Sequence, residues 1–243
     1  MRKHRIYCKS VSEPKDVFML DKDQSYHIVK VLRLNIDDEI EVFDGMGSSA
    51  ICKIIEANRS LVSLNRISSL NITKPKDKVF SFILPFIKKD NFHFMIQKLC
   101  EIGASKLIFY KPDLIDQSIA KKDISKLFAK SNDVIISACK QCGTNFLPET
   151  QMVGSLNDAI QLLDNNFEVY VFDINASSVF NSHDIKSKNF VSITGPESGF
   201  SDSEYNLIEE NNFKVRLLGN NILRAETAPI VIASLVQNHF DKI

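Results

Sequence analysis

The chain has 243 residues, 44% of them apolar, enough for one large core or two modest ones. No apolar run approaches a membrane span, and no apolar segment follows the basic start Met1-Arg2-Lys3-His4-Arg5, so neither a membrane protein nor a secretory signal is expected. Lys plus Arg and Asp plus Glu stand equal at 30 each, so a nucleic-acid partner has to meet a local basic patch rather than a net charge. Five cysteines, an odd number, argue for reduced thiols and a cytoplasmic location instead of a disulfide framework.

The first 72 residues are rich in short alternating runs: Glu39 to Phe43, Ser49 to Ile55 and Ser60 to Leu64. Period-two alternation predicts half-buried strands. Asp44-Gly45 is a hairpin signal between the first two. A short helix is predicted from Gln24 to Val31, carrying His27. Several short strands joined by turns suggest a small barrel. The polar stretch 71–78, broken by Pro75, is the expected boundary, giving domains 1–72 and 73–243.

Beyond it the pattern changes. Val79 to Leu84 is a continuous apolar run, as expected of a strand buried on both faces. Phe92, Met95, Ile96 and Leu99 recur at helical spacing, and Gly103 is placed to end that helix. Lys106–Tyr110, Glu168–Phe172 and Phe190–Thr194 read as strands; residues 121–142 and Ser155–Leu163 read as helices. Strands alternating with helices indicate an α/β domain with a parallel sheet.

The last fifth carries the chemistry. A strand ending at Thr194 runs into Gly195-Pro196-Glu197-Ser198-Gly199, and a short strand runs into Leu218-Gly219-Asn220-Asn221-Ile222-Leu223-Arg224. Glycine-bearing loops at the C-terminal ends of strands are where α/β sheets bind small ligands. Neither loop fits the dinucleotide or P-loop pattern. The first also reads as a plain strand-to-helix turn, with Ser201 and Glu204 forming a capping box. Cys139 and Cys142 have C-x-x-C spacing, but no second pair completes a metal site, so they read as helix residues and no metal is expected. His27 and His93 read as structural. The basic cluster Arg2, Lys3, His4, Arg5 and Lys9 around Tyr7, with Lys30 and Arg33 one turn apart, suits phosphate contacts and base stacking.

Four segments together resemble the bacterial 16S rRNA (uracil N3) methyltransferase family, of the SPOUT class of knotted methyltransferases. They are Met1 to Tyr7 with His27 to Arg33 and Phe43-Asp44-Gly45; Ile96 to Gly103; Ala138 to Gly143 with Pro148-Glu149; and Gly195-Pro196-Glu197 with Leu217-Leu218-Gly219 and Leu223 to Ala228. Their order and spacing match over nearly the whole chain. The resemblance implies an N-terminal PUA-like β-barrel that binds RNA. It implies a C-terminal α/β domain with a trefoil knot over roughly 190–240. It implies S-adenosylmethionine as cofactor, 16S rRNA of the small ribosomal subunit as partner, N3-methyluridine as product, and a homodimer.

Under that resemblance the cofactor residues are Phe172, Thr194, Gly195, Glu197, Gly199, Leu217, Leu218, Gly219, Ile222, Leu223, Thr227 and Ala228. The RNA-binding residues are Arg2, Arg5, Lys30, Arg33, Lys98 and Gln141. Arg224 is the candidate to stabilise charge developing on the uracil oxygens, and Glu226 the nearest carboxylate to take its N3 proton. The chain departs from the family pattern at Lys140, Thr144, Gln117, His93 and Ser198. Those changes keep a second reading open, an RNA-binding or ribosome-assembly protein of low activity. The closing helix, Ala228 to Phe240, is apolar around most of its circumference, which implies burial on more than one side.

Overall fold

The computed structural model describes residues 3–58, 61–121 and 123–240. They fall into two compact units, Met1–Pro75 with Cys139–Leu147, and Lys76–Ala138 with Pro148–Ile243. The expected RNA-binding residue Arg2, and the Ser60 that opens the third expected strand, lie outside the described residues.

The first unit contains β1 (Arg5–Tyr7), β2 (Val17–Met19), helix α1 (Lys22–Tyr26), β3 (Glu39–Phe43), β4 (Ser48–Ala57), β5 (Val62–Arg66) and β6 (Asn71–Ile72). The sheet order is β1-β3-β4-β5-β2, with β6 on β4. Alternation does its expected work: Ile40 and Val42 of β3, with Cys52 and Ile54 of β4, point into a core shared with Ile6, Ile28, Val62 and Leu64. The predicted short helix forms as α1 plus a π-helical turn over His27–Leu32, closed by Arg33 in the left-handed region at φ 54°. The Asp44-Gly45 signal marks a longer connection than the two-residue turn, because Phe43 pairs with Ser49. The Asp44 carboxylate accepts the backbone N–H groups of Met46 and Ser48 there, at 2.7 and 2.9 Å.

A segment from mid-chain completes this unit. Gly47 donates its backbone N–H to Asn145 and Leu147 donates to Gly45, at 3.0 and 2.9 Å. Arg5 fixes the same segment from the other side. Its Nη1 donates to the carbonyls of Cys139 and Thr144, both at 3.1 Å, and its Nη2 to the Asn145 side chain. Its Nε stands 3.1 Å from Glu41 as an ion pair, without the alignment of a hydrogen bond. The guanidinium lies over the Phe43 ring, 4.5 Å from its centroid. Arg5 is therefore a buried structural residue, 6% exposed, and not the RNA contact expected from its basic neighbours.

The second unit contains β7 (Val79–Pro85), α2 (Lys89–Ile102), β8 (Lys106–Tyr110), α3 (Gln117–Ala120), the first part of α4 (Ile124–Cys142), β9 (Glu149–Val153), α5 (Leu156–Ile160), β10 (Glu168–Phe172), β11 (Asn189–Thr194), α6 (Asp202–Glu210), β12 (Lys214–Arg216) and α7 (Thr227–His239). Its sheet order is β12-β10-β11-β7-β8-β9, parallel throughout. The chain builds β7, β8 and β9 outward in one direction, then returns to place β10, inserts β11 between β10 and β7, and adds β12 on the far side of β10. The two directions meet between β7 and β11, which is the topological switch point of an open α/β sheet. Gly103 ends α2 in the left-handed region at φ 91°, as its place after the last apolar residue predicts. Helix α7 is covered on more than one side, as its apolar circumference implies. Its buried face, Ile232, Ala233 and Val236, is covered by α2 as well as by β7 and β11, so a helix of the same unit supplies the second cover. Leu235 still points outward, 38% exposed. Among the described residues, no helix is long and apolar enough to cross a membrane.

Candidate active site

The C-terminal ends of β10, β11 and β12 open into one cavity of about 320 Å3, in the range of sites that enclose a small ligand. Three loops line it, running from Phe172, Thr194 and Leu217.

The loop after β11 is held from behind. Fully buried Tyr110 donates its hydroxyl to the Thr194 carbonyl at 3.0 Å. Gly195 packs so closely on Phe200 that an added Cβ would stand 3.3 Å from its ring. Gly199 donates its N–H to the Pro196 carbonyl at 3.0 Å, and its φ of 77° is one that a side chain would strain. Ser201 then caps α6 in a full capping box with Glu204. The turn reading and the ligand reading of this segment are thus compatible. Burial pushes the Glu204 carboxyl up, although it accepts the backbone N–H groups of Ser201 and Asp113.

The loop after β12 is anchored at both ends. Leu217 pairs with the Val179 segment, accepting from Phe180 at 2.7 Å and donating to Ser178 at 2.8 Å. Gly219 follows, then Ile222, which is 78% exposed. At its far end the Arg224 carbonyl accepts the N–H groups of Thr227 and Ala228 and so starts α7.

Every expected cofactor residue except Thr227 lines the cavity. Thr227 sits in the first turn of α7, half-buried. Sequence reasoning missed Asp173, Ile174, Pro196, Asn221 and Ala225 as wall residues. Asp173 and Ile174 were findable, since they follow a strand that ends on the same edge of the sheet.

Arg224 also lines the cavity, and its side chain is 82% exposed. Glu226 does not line it. It is buried with Oε1 4.0 Å from Arg224 Nη1 and Oε2 without a partner. A carboxylate closed off from the cavity is badly placed to receive a proton from a base bound there. The structure therefore does not bring Glu226 to the cavity wall, where the expected proton transfer would take place. It stands behind Arg224 as its nearest carboxylate.

The expected RNA residues are scattered. Lys30 and Arg33 are exposed on the first unit, and Gln141 is exposed on α4. Lys98 is engaged, 2.8 Å from Glu101 and over the Phe94 ring. Cys139 and Cys142 lie within α4, as read. Burial, with the charges of Lys140 and His4, holds the His27 imidazole below its usual range. Lys140 itself is lowered to about 8 by burial.

A family model described as an RNA methyltransferase domain matches residues 74–237, the unit that builds this cavity. The chain belongs to that family. A second model, the RNA methyltransferase PUA domain, matches residues 20–65. The ribosomal RNA small subunit methyltransferase E 1 of Borreliella burgdorferi is 29% identical over 233 residues, spanning 93% of each chain. The corresponding Bacillus subtilis protein is 27% identical over 241 residues, with 94% of this chain and 92% of the relative covered. Among solved structures, a Legionella pneumophila methyltransferase in complex with S-adenosylmethionine superposes with a TM-score of 0.89 at 24% identity. The small subunit methyltransferase E of Neisseria gonorrhoeae, also bound to S-adenosylmethionine, gives 0.84 at 23%. Each comparison covers 98% of both chains. The fold is that of the SPOUT methyltransferases joined to a PUA-like domain, as the sequence resemblance implied.

Proposed function

We propose that this protein transfers a methyl group from S-adenosylmethionine to small-subunit ribosomal RNA, at N3 of a uridine in the decoding region. The cavity at the C-terminal ends of β10, β11 and β12, walled by two glycine-bearing loops and by Arg224, is the observation that carries the reading. Relatives bearing the name of the small-subunit methyltransferase, matched over 93% and 94% of this chain, support the substrate.

The residues present fit the cofactor. Side chains added at Gly199 and Gly219 would meet nothing within 4 Å, so both loops leave room beside bare backbone. Leu217, Leu218, Ile222 and Leu223 offer an apolar slot for an adenine, while Phe172, Thr194, Gly195, Glu197 and Ala228 complete the wall. The cofactor supplies an electrophilic methyl on a sulfonium. Everything else falls to the chain: positioning, which removes entropy from the barrier, and charge. Uracil N3 carries a proton at neutral pH and has to lose it. As it does, charge spreads to O2 and O4, and a guanidinium beside them stabilises it. Arg224 stands on the wall with its side chain exposed to do this. Glu226 acts as a positioning residue for Arg224, not as a base.

Arg224→Ala should leave cofactor affinity within a few-fold and cut methyl transfer by roughly a hundredfold, the scale of losing one oxyanion-type donor. Lys should rescue poorly because it lacks the planar fork. Methylation of small-subunit RNA with labelled cofactor, alongside calorimetry, decides it. Near-normal turnover by the Ala variant removes the role. Loss of N3-methyluridine from 16S rRNA in a strain lacking the gene tests the product, and an unchanged nucleoside profile would leave the low-activity assembly reading standing.

The assembly proposed is a two-fold homodimer in the cytoplasm, with α7 beside the interface. Leu235 is exposed and Ile230 and Val231 are half-buried, although α2 already covers part of the helix. Sedimentation equilibrium at micromolar concentration should return twice the 27.5 kDa chain mass. A fully active species at the single-chain mass rules the dimer out.

A further inference from the structure

A second cavity in the same unit carries an assignment of its own. It holds about 180 Å3 and lies between the start of α2 and the segment from α3 to α4. Its apolar lining is Ile87, Ile119, Ile124 and Leu127. Its charged lining is Lys88, Lys89, Lys126 and Lys130, with Asp123 the one carboxylate. The chain as a whole is neutral, so four ammonium groups around one small pocket are a local concentration of charge.

The lysines are not there to stabilise the fold. Lys88 is the N-cap of α2 and Lys89 its first residue, where the helix dipole disfavours a cation. Lys126 reaches Asp123 only at 3.7 Å, with its side chain 83% exposed, and such pairs contribute little. Among the described residues Lys89 and Lys130 form no ion pair. Burial, with the charges of Lys89 and Lys130 and against that of Asp90, holds the His93 imidazole of α2 below its usual range. Four ammonium groups thus share the pocket with one carboxylate, Asp123.

The pocket also joins the cofactor cavity. A narrow space of about 30 Å3 shares Ile87, Lys88 and Ile119 with the lysine pocket and Pro196 and Glu197 with the cofactor cavity. Lys88 bridges the two, 3.7 Å from the Glu197 carboxylate and 3.4 Å from Asp116.

We propose that this pocket is a subsite for a nucleotide of the RNA strand flanking the methylated base, with the base on the apolar floor and its phosphates on Lys89, Lys126 and Lys130. This rests on the methyl-transfer reading of the neighbouring cavity. The volume is below the roughly 300–1,000 Å3 of sites that enclose a whole small ligand, so the pocket takes the base alone and leaves the sugar and phosphates at its rim. The chemistry fits too. A single strand presents a phosphate on either side of each base, and a cationic rim around an apolar floor is complementary to that pattern. The floor grips by branched aliphatic faces, which read no base edge, so the subsite positions the strand and selects little sequence.

The test uses the full chain and a fluorescent, uridine-containing single-stranded RNA of about a dozen nucleotides. Anisotropy titrations over a series of salt concentrations compare the unaltered protein with a Lys89→Gln, Lys126→Gln, Lys130→Gln variant. Three lost phosphate contacts should flatten the slope of log K against log salt by about 2. Affinity at low salt should fall at least tenfold, with cofactor binding by calorimetry unchanged. A Lys186→Gln, Lys188→Gln variant, altered at two exposed positions away from this pocket, should keep slope and affinity. RNA carrying 4-thiouridine should crosslink within Ile87–Lys89 or Ile124–Lys130. An unchanged slope, with crosslinks elsewhere, overturns the subsite and leaves the methyl-transfer reading standing. A flattened slope in a protein that binds no cofactor sinks the methyl-transfer reading and keeps the subsite. No RNA binding by the unaltered protein sinks both.

Discussion

Gly219→Val weakens S-adenosylmethionine binding by at least a hundredfold and leaves the protein folded. The two halves of that expectation have separate grounds. The fold survives because a Cβ at Gly219 meets no atom within 4 Å, so nothing in the protein is displaced. Its φ of 157° is one that a side chain strains, so the variant carries a backbone cost, and Gly219→Ala, which carries the positive-φ cost without the added bulk, helps separate that cost from the loss of room. Binding fails because Gly219 lines the cavity, on the loop proposed to take the adenine. The valine methyls occupy the room that bare backbone leaves, and the stiff β-branched side chain has few rotamers with which to withdraw. Gly219→Ala adds one carbon and should lose far less. Calorimetry gives the affinity and circular dichroism the fold. A folded Val variant of undiminished affinity would take this loop out of the cofactor site.

Some of this was legible in the residues alone, for a physical reason in each case. Val79 to Leu84 reads as a strand because both faces of the central strand β7 are buried, leaving no polar position to blur the pattern. Glu39–Phe43 reads as one because only one of its faces is. The cofactor loops were legible because α/β sheets bind at strand ends and glycines marked two of them. The third wall, Asp173 and Ile174, has no glycine and passed unnoticed. Strand β9 hides for another reason. It pairs only with β8, so Glu149-Thr150-Gln151-Met152-Val153 needs no apolar face. Strands β1 and β2 are three residues each, too short for any period to show. Glu226 illustrates a different limit. Proximity in sequence to Arg224 says nothing about which side of the helix start faces the cavity, and it is the buried side that Glu226 takes.

Arg5 is the sharpest reversal, and it yields the largest expected loss of stability. In the sequence it belongs to a run of basic residues around Tyr7, which is how a phosphate-binding patch looks. Its partners lie more than 130 residues away, at Cys139, Thr144 and Asn145, where no local pattern reveals them. Arg5→Ala would strand the Cys139 and Thr144 carbonyls, the Asn145 side chain and the Glu41 carboxylate, and remove the contact with the Phe43 ring. Breaking one partner of a buried charged network costs about 3–5 kcal/mol. The segment Cys139–Leu147 is what Arg5 holds to the first unit, so that unit should bear the loss. Arg5→Lys should recover little of it, because one ammonium cannot serve two carbonyls and an amide in the fixed geometry of the fork. Lys30 and Arg33, both exposed, should behave in the opposite way. Alanine at either should leave stability within about 0.5 kcal/mol and flatten the salt dependence of RNA binding by roughly 0.7–0.9 of slope. Urea unfolding read by circular dichroism, set beside RNA titrations at several salt concentrations, separates the two behaviours. An Arg5→Ala variant of full stability whose RNA affinity has lost a unit of salt slope would return Arg5 to the phosphate-binding surface.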